Sequence, residues 1–375
     1  MKTKILVLIL LSCISQNLFS QKKLPVIRAT SPIVDIREDN KLYKKAWNIV
    51  PQEKLDVYTT SGKKVTFYTD IDSITFKVEP QKNYDFIILL NGKDSARTQI
   101  KYQPSKLDVL KRSGKYNYSD NSYTPKFTYQ SSENIELQKI RKELKLDSIA
   151  GKGNELSQIF NLMHWLHNLI RHDGNSSNPA SQNAVDLIKV CKAENRGVNC
   201  RMLAITLNEC YLAMGIQSRA VTCMAKDKND NDSHVINMVF SKDLNKWIWM
   251  DPTFDAYVMD DKGNLLGVEE VRKKLIKNEP LVLNADANWN RELMQTKEGY
   301  LYNYMAKNLY RLQTPLMSEY DAETLKKGKE IIYVDLLTSD EFEQAQQKKE
   351  ILYKDINAKL VFYKLNNPDL FWKKP

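Results

Sequence analysis

Residues 200–214 place apolar side chains at Leu203, Leu207, Tyr211 and Met214, the three-to-four spacing of a helix with one apolar face. Asn199 stands where an N-cap belongs, and Gly215 where such a helix stops. Beyond Gly215 the period shortens. Ser218 to Met224, His234 to Phe240 and Lys246 to Met250 are short runs rich in β-branched and aromatic residues, and they predict three strands. The Asp/Asn-rich run from Lys226 to Asp232 predicts a hairpin loop between the first two, and Asn245 marks the next turn. Upstream, Lys64 to Tyr68 and Ser73 to Val78 alternate polar with apolar, while Asp85 to Leu90 reads as a buried strand closed by an Asn91-Gly92 turn. Ile135 to Leu144 opens a helical region, continued by a predicted helix over Glu155 to His172. Downstream, Val268 to Lys277 and Tyr300 to Leu312 predict helices. Lys329 to Leu337 and Ala358 to Tyr363 predict strands with a charged helix between them. The aromatic end Leu370-Phe371-Trp372 predicts packing against the body.

This order describes an α+β chain. Residues 25–125 are expected to form a β-sandwich, with Ser113 to Gln130, dense in Ser, Tyr, Asn and Lys, as a linker. A length of 375 residues suits two or three domains, and 42% hydrophobic content supports real cores. The net charge of +10 comes from 56 basic against 46 acidic residues, scattered as lysines rather than gathered in an arginine-rich stripe, which argues against a nucleic-acid partner.

The N-terminus changes the picture more. Lys2 and Lys4 precede the apolar run Ile5 to Leu11, too short to remain as a transmembrane span, and Leu18-Phe19-Ser20-Gln21 follows. Residues 1–20 read as a secretory signal peptide cut after Ser20. The rival reading, a lipoprotein cysteine at Cys13, is poorly matched by Leu11. Either route places the protein outside the cytoplasm, in the periplasm, the cell envelope or the medium. Loss of Cys13 leaves Cys191, Cys200, Cys210 and Cys223. Cys200 and Cys210 lie ten residues apart on one helix, about 15 Å, and cannot pair.

Three residues carry candidate chemistry. A thiol attacks a carbonyl carbon as thiolate, and an ordinary cysteine with pKa near ~8.5 is mostly protonated at neutral pH. Cys200 in the first turn of a helix sits where the positive end of the dipole lowers that pKa. His234, opening a strand, would supply an imidazolium beside it. Asp251, closing the next strand, would hold the imidazole by its second nitrogen. Taken singly, Cys200 would be a buried thiol, His234 a hydrogen-bonded histidine and Asp251 a turn former before Pro252. Their order and flanking context together favour a Cys-His-Asp triad.

Residues from about Ile159 to Thr253 resemble the catalytic core of the transglutaminase-like superfamily. The matching positions are Gly197 and Cys200 with the helix after them, Gly215-Ile216 with Arg219, His234, and Trp249 with Asp251-Pro252-Thr253. The resemblance implies a papain/transglutaminase-like fold and acyl transfer through a thioester, with a protein, peptide or other amide as substrate. It also implies a catalytic domain over residues 130–310, with 311–375 as a C-terminal extension packed on it. One departure is visible: Val235-Ile236 stands where the family often has Ala-Trp. The only oxyanion donor identified is the backbone N–H of Cys200. No cofactor is called for. His164 and His167 have a spacing that could share a metal, but neither an HExxH pattern nor a cysteine pair accompanies them, and helix packing is the better reading.

Overall fold

The structure, a computed structural model, describes residues 23–49, 55–343 and 346–375. The expected signal peptide and Cys13 lie outside the described residues. The chain divides into two units, Met1–Pro104 and Ser105–Pro375.

The first unit is built from two four-stranded sheets. One runs in the order Val26–Ala29, Asn83–Leu90, Asp94–Tyr102, Asp56–Thr60. The other runs Lys41–Asn48, Ile33–Glu38, Lys64–Tyr68, Ser73–Lys77. Alternate residues of both sheets fill one core containing Val34, Ile36, Val65, Phe67, Phe86, Ile88 and Ile100. The Phe67 and Phe86 rings meet edge to face across it, 5.0 Å between centroids. The Asn91-Gly92 turn has positive φ at both residues and joins the paired strands Asn83–Leu90 and Asp94–Tyr102.

In the second unit a seven-stranded sheet carries helices. Its order is Lys246–Met250, His234–Ser241, Ser218–Met224, Arg311–Pro315, Glu330–Leu336, Ala358–Leu365, Lys348–Tyr353. Every neighbouring pair is antiparallel except Glu330–Leu336 with Ala358–Leu365. Both faces are covered. Val239, Ile248 and Met250 pack into one core with the helices Glu155–Leu169, Ala184–Ala193 and Cys200–Ala213. Ile236, Met238, Trp247 and Trp249 pack into another with Leu110, Val271, Tyr300 and Phe371. Coverage on two sides is why the His234–Ser241 strand is buried along its whole length, without alternation.

The helix Cys200–Ala213 is the hub of this unit. Asn199 caps it, its side chain accepting from Met202 N at 3.2 Å. At the other end Gly215 takes φ +76°, Gly215 N donates to Leu212 O and Ile216 N to Tyr211 O, both at 2.9 Å. Leu203, Leu207 and Tyr211 of the stripe are buried, with Met214 half-buried at its end, and so is every residue from Met202 to Ala213, because helices on one side and the sheet on the other enclose it.

Several expectations change. The unit boundary falls at Pro104–Ser105, upstream of the expected linker. Ser105 caps the short helix Lys106–Lys111, whose Leu110 joins the second unit's core, and Thr128–Tyr129 pairs with Met317–Ser318. Residues 311–375 supply four of the seven strands of the sheet. The charged stretch between the last two expected strands forms a short helix, Ser339–Phe342, and an exposed edge strand, Lys348–Tyr353; its charged residues suit a solvated edge. The segment read as a helix from Tyr300 is a π-helix, Glu298–Met305, followed by Ala306–Asn308 and then the strand from Arg311. The C-terminus packs as expected. The buried Arg219 guanidinium lies over the Phe127 and Trp247 rings and donates both terminal nitrogens to Phe371 O at 3.1 Å.

Candidate active site

Sheet register brings the strand ends together. Asn237 pairs with Met250, so one further step sets Asp251 opposite Ile236, diagonal to His234 on the same face. His234 Nε2–H donates to Asp251 Oδ2 at 2.7 Å, and both residues are buried. Tyr300 OH donates to that same oxygen at 2.6 Å, and Thr253 N donates to Oδ1 at 2.9 Å. Every oxygen of the carboxylate is therefore engaged. The turn that holds it is closed by two backbone bonds between Asp251 and Ala256.

With Nε2 engaged, Nδ1 is the His234 nitrogen left to act on Cys200. The half-buried Cys200 sulfur sits 3.9 Å from Ser233 O, at the first turn of its helix. The structure thus collects Cys200, His234 and Asp251 at one place. Burial alone would raise the Cys200 thiol. Hydrogen bonds from His172 and His234, the charge on His234 and the Val235 N–H outweigh it and hold the thiol at about 6. Burial alone would lower His234, but the charge and hydrogen bond of Asp251, with the Cys200 thiolate, push it up to about 10. Between those values the favoured state is a thiolate beside an imidazolium.

The rings of Phe254 and Tyr304 flank the His234 imidazole at 5.5 and 5.3 Å. They restrict its rotation and shield the pair from water.

His172 was missed by sequence reasoning, which put it at the end of a helix. The helix stops at Leu169, and residues 171–173 run extended beside Gly197-Val198, with Val198 N donating to Arg171 O at 3.1 Å and Asp173 N to Val198 O at 2.8 Å. A Cβ on Gly197 would meet Arg171 O at 2.5 Å, so glycine is what lets the two segments approach. Trp289 Nε1–H donates to His172 Nδ1 at 3.0 Å. Indole N–H only donates, so Nδ1 carries the lone pair and Nε2 the hydrogen. Asn290 fixes the His172 backbone from both sides, accepting from its N–H at 2.7 Å and donating to its carbonyl at 3.0 Å. The sequence signal available was Asp173-Gly174, which breaks the helical pattern just after His172.

The other two histidines have separate partners. His164 Nδ1 pairs with Asp255 at 2.6 Å, while the His167 nitrogens face Pro252 O and Asn288 Oδ1, each at 3.0 Å. His167 thereby ties its helix to the turn after Asp251. The cysteines Cys191, Cys210 and Cys223 are free and buried. No helix among the described residues is long and apolar enough to cross a membrane.

Comparison with known proteins gives this arrangement a context. Residues 142–252 match the model of the transglutaminase-like superfamily. No curated protein matches the chain. Among solved structures, the chain is similar to a candidate cysteine protease from Cytophaga hutchinsonii, at 20% identity over 31% of this chain and 37% of that one, with a TM-score of 0.24. It is also similar to Legionella pneumophila LapG, at 14% identity over 40% of this chain and 98% of that one, TM-score 0.25. Red sea bream transglutaminase is matched at 12% identity over 56% of this chain and 40% of that one, TM-score 0.23. The chain thus spans little more than a third of the Cytophaga structure's length. Residues 142–252 of this chain are a transglutaminase-like superfamily domain.

Proposed function

We propose that this protein is an exported cysteine enzyme that cleaves or transfers peptide or amide acyl groups through a thioester on Cys200. The observation that carries the reading is a half-buried thiol in the first turn of a helix, placed against the start of the strand whose His234 is hydrogen-bonded to the buried Asp251 carboxylate. In the proposed reaction the Cys200 thiolate attacks the acyl carbon and the carbonyl π electrons move to oxygen. The His172 Nε2–H, with the backbone N–H of Cys200, donates to that developing oxyanion. Collapse expels the amine, which takes its proton from His234 Nδ1, and a thioester remains. His234, now neutral, accepts a proton from water or an incoming amine as that nucleophile attacks the thioester, and the thiolate leaves. Asp251 holds the imidazole in one orientation through both halves.

Water gives hydrolysis and a lysine amine gives transamidation; access to the thioester decides between them. The leader-like residues 1–20 support export, which N-terminal sequencing of the mature protein tests. A thiol-directed acyl probe compared between wild type and Cys200→Ala tests the reaction. Labelling of wild type alone supports it. Equal turnover of any substrate by both proteins refutes it and leaves the alternative, a binding or assembly protein that retains the fold without turnover.

A further inference from the structure

Among the elements that the chain supplies to this centre from outside residues 142–252 is the π-helix Glu298–Met305. π-helical turns are rare and concentrate at functional sites. Here Tyr300 reaches Asp251 and Tyr304 lies against the His234 ring, four residues apart and so close to one turn of the wider helix. Tyr300 is fully buried, and Trp249 Nε1–H donates to its hydroxyl oxygen at 3.2 Å. Because the indole only donates, the single hydroxyl hydrogen of Tyr300 must go to Asp251. The bonds therefore have a fixed direction, Trp249 to Tyr300 to Asp251, with His234 donating to the same carboxylate oxygen from the other side.

We propose that Tyr300 is a positioning residue of the centre, sharing Asp251 Oδ2 with His234 so that the carboxylate is aimed at the imidazole yet does not hold its proton too tightly. This rests on the acyl-transfer reading, in which His234 must release a proton to the leaving amine. A second donor on Oδ2 disperses its charge and weakens its pull on the Nε2 hydrogen. Without it, the imidazolium is held more firmly and becomes a poorer acid. Burial, and then the charge of Asp251, keep the Tyr300 phenol protonated, so the donor is present throughout the working range. The other titratable groups facing the pair are Cys200, His172, Cys223 and Tyr304, with Asp232 further out beside Tyr304.

The test is a pH titration of the histidine Cε1–H signals by NMR in wild type, Tyr300→Phe and Trp249→Phe. The chain has four histidines, so His234 is assigned by its loss in His234→Gln. Phenylalanine keeps the ring in its packing and removes only the hydroxyl. Expected is a His234 titration near about 10 in wild type. Tyr300→Phe should move it upward by roughly 0.5–1, the equivalent of one net hydrogen bond. Trp249→Phe should move it the same way by less, because it weakens the donor without removing it. Tyr300→Phe should also lower the rate at which Cys200 is acylated by an amide-type probe, by roughly two- to threefold for an acid weakened by that much. An unchanged His234 titration and acylation rate in Tyr300→Phe, with only a lowered melting temperature, would overturn the inference and make Tyr300 a packing residue. A wild-type His234 that titrates near the ordinary histidine value overturns the ion pair itself, and the inference with it.

Discussion

Replacing His234 with glutamine tests the origin of the low Cys200 pKa most directly. Glutamine fills part of the imidazole's place and retains an N–H that faces Asp251, but it carries no charge and cannot act as a base. With the thiol held at about 6, about one quarter of wild-type Cys200 is thiolate at pH 5.5. If the substitution returns it to the ordinary ~8.5, that fraction falls to about one in a thousand, a change of roughly 240-fold. A more basic thiolate is intrinsically more nucleophilic, by about tenfold over this interval, so the net loss in alkylation rate is about 20-fold. Burial pushes the thiol further up, while His172 and the Val235 N–H, which the substitution leaves in place, pull it down, so these two remaining effects oppose each other. The assay is the rate of iodoacetamide addition at pH 5.5, with the modified residue located by mass spectrometry. Cys191, Cys210 and Cys223 are buried and contribute little background. At pH 7 the same arithmetic leaves a loss of only about threefold, so the acidic measurement is the decisive one. A His234→Gln protein that alkylates at pH 5.5 as fast as wild type would refute the ion pair.

Asp251→Asn should reduce turnover by roughly 10³–10⁴ while leaving more activity than Cys200→Ala, because an amide in place of Oδ2 forces His234 into the wrong tautomer; near-wild-type turnover would mean that Asp251 serves only its turn. His172→Phe should cost roughly 10²–10³ in the acylation rate and move the thiol titration upward, and Trp289→Phe should do the same more weakly, as measured by probe labelling across pH. Glu209, buried in the Cys200 helix, accepts from Ala184 N and Asp321 N at 2.8 Å. Burial, only partly offset by those two donors, pushes its carboxyl up to about 8. The folded protein then binds a proton that the unfolded chain has released, so this contribution to stability is full below the ordinary carboxylate value and is lost as pH rises through about 8. Urea unfolding at pH 5 and pH 8.5 should show Glu209→Gln gaining on wild type at the higher pH; an equal difference at both would contradict the assignment.

Local chemistry made much of this protein legible in its sequence. Asn199 and Gly215 bracket the helix because capping and positive φ are properties of single residues. The three strands after it were readable from their β-branched and aromatic runs, and the Asn91-Gly92 turn from its composition. The order Cys200, His234, Asp251 pointed to one site because a helix start and two strand ends are places that a simple antiparallel register brings together.

What the sequence left open depended on partners distant along the chain. His172 looked helical because Ile170 and Arg171 continue an apolar-polar pattern. Only the close approach of Gly197 pulls that segment into extended pairing, and only Trp289, 117 residues away, sets its tautomer. Tyr300 likewise gave no local sign of meeting Asp251, since a π-helix is not encoded by a distinct periodicity. The final strands joined the same sheet because its remaining edge offered unpaired backbone groups, a demand met in three dimensions and invisible along the chain. The sequence alone determined the helix caps and the strand runs and singled out the candidate side chains, all from neighbours a few residues apart. Tertiary structure decided which nitrogen faces which atom and what shields the pair, because hydrogen-bond direction and burial arise only when distant segments pack.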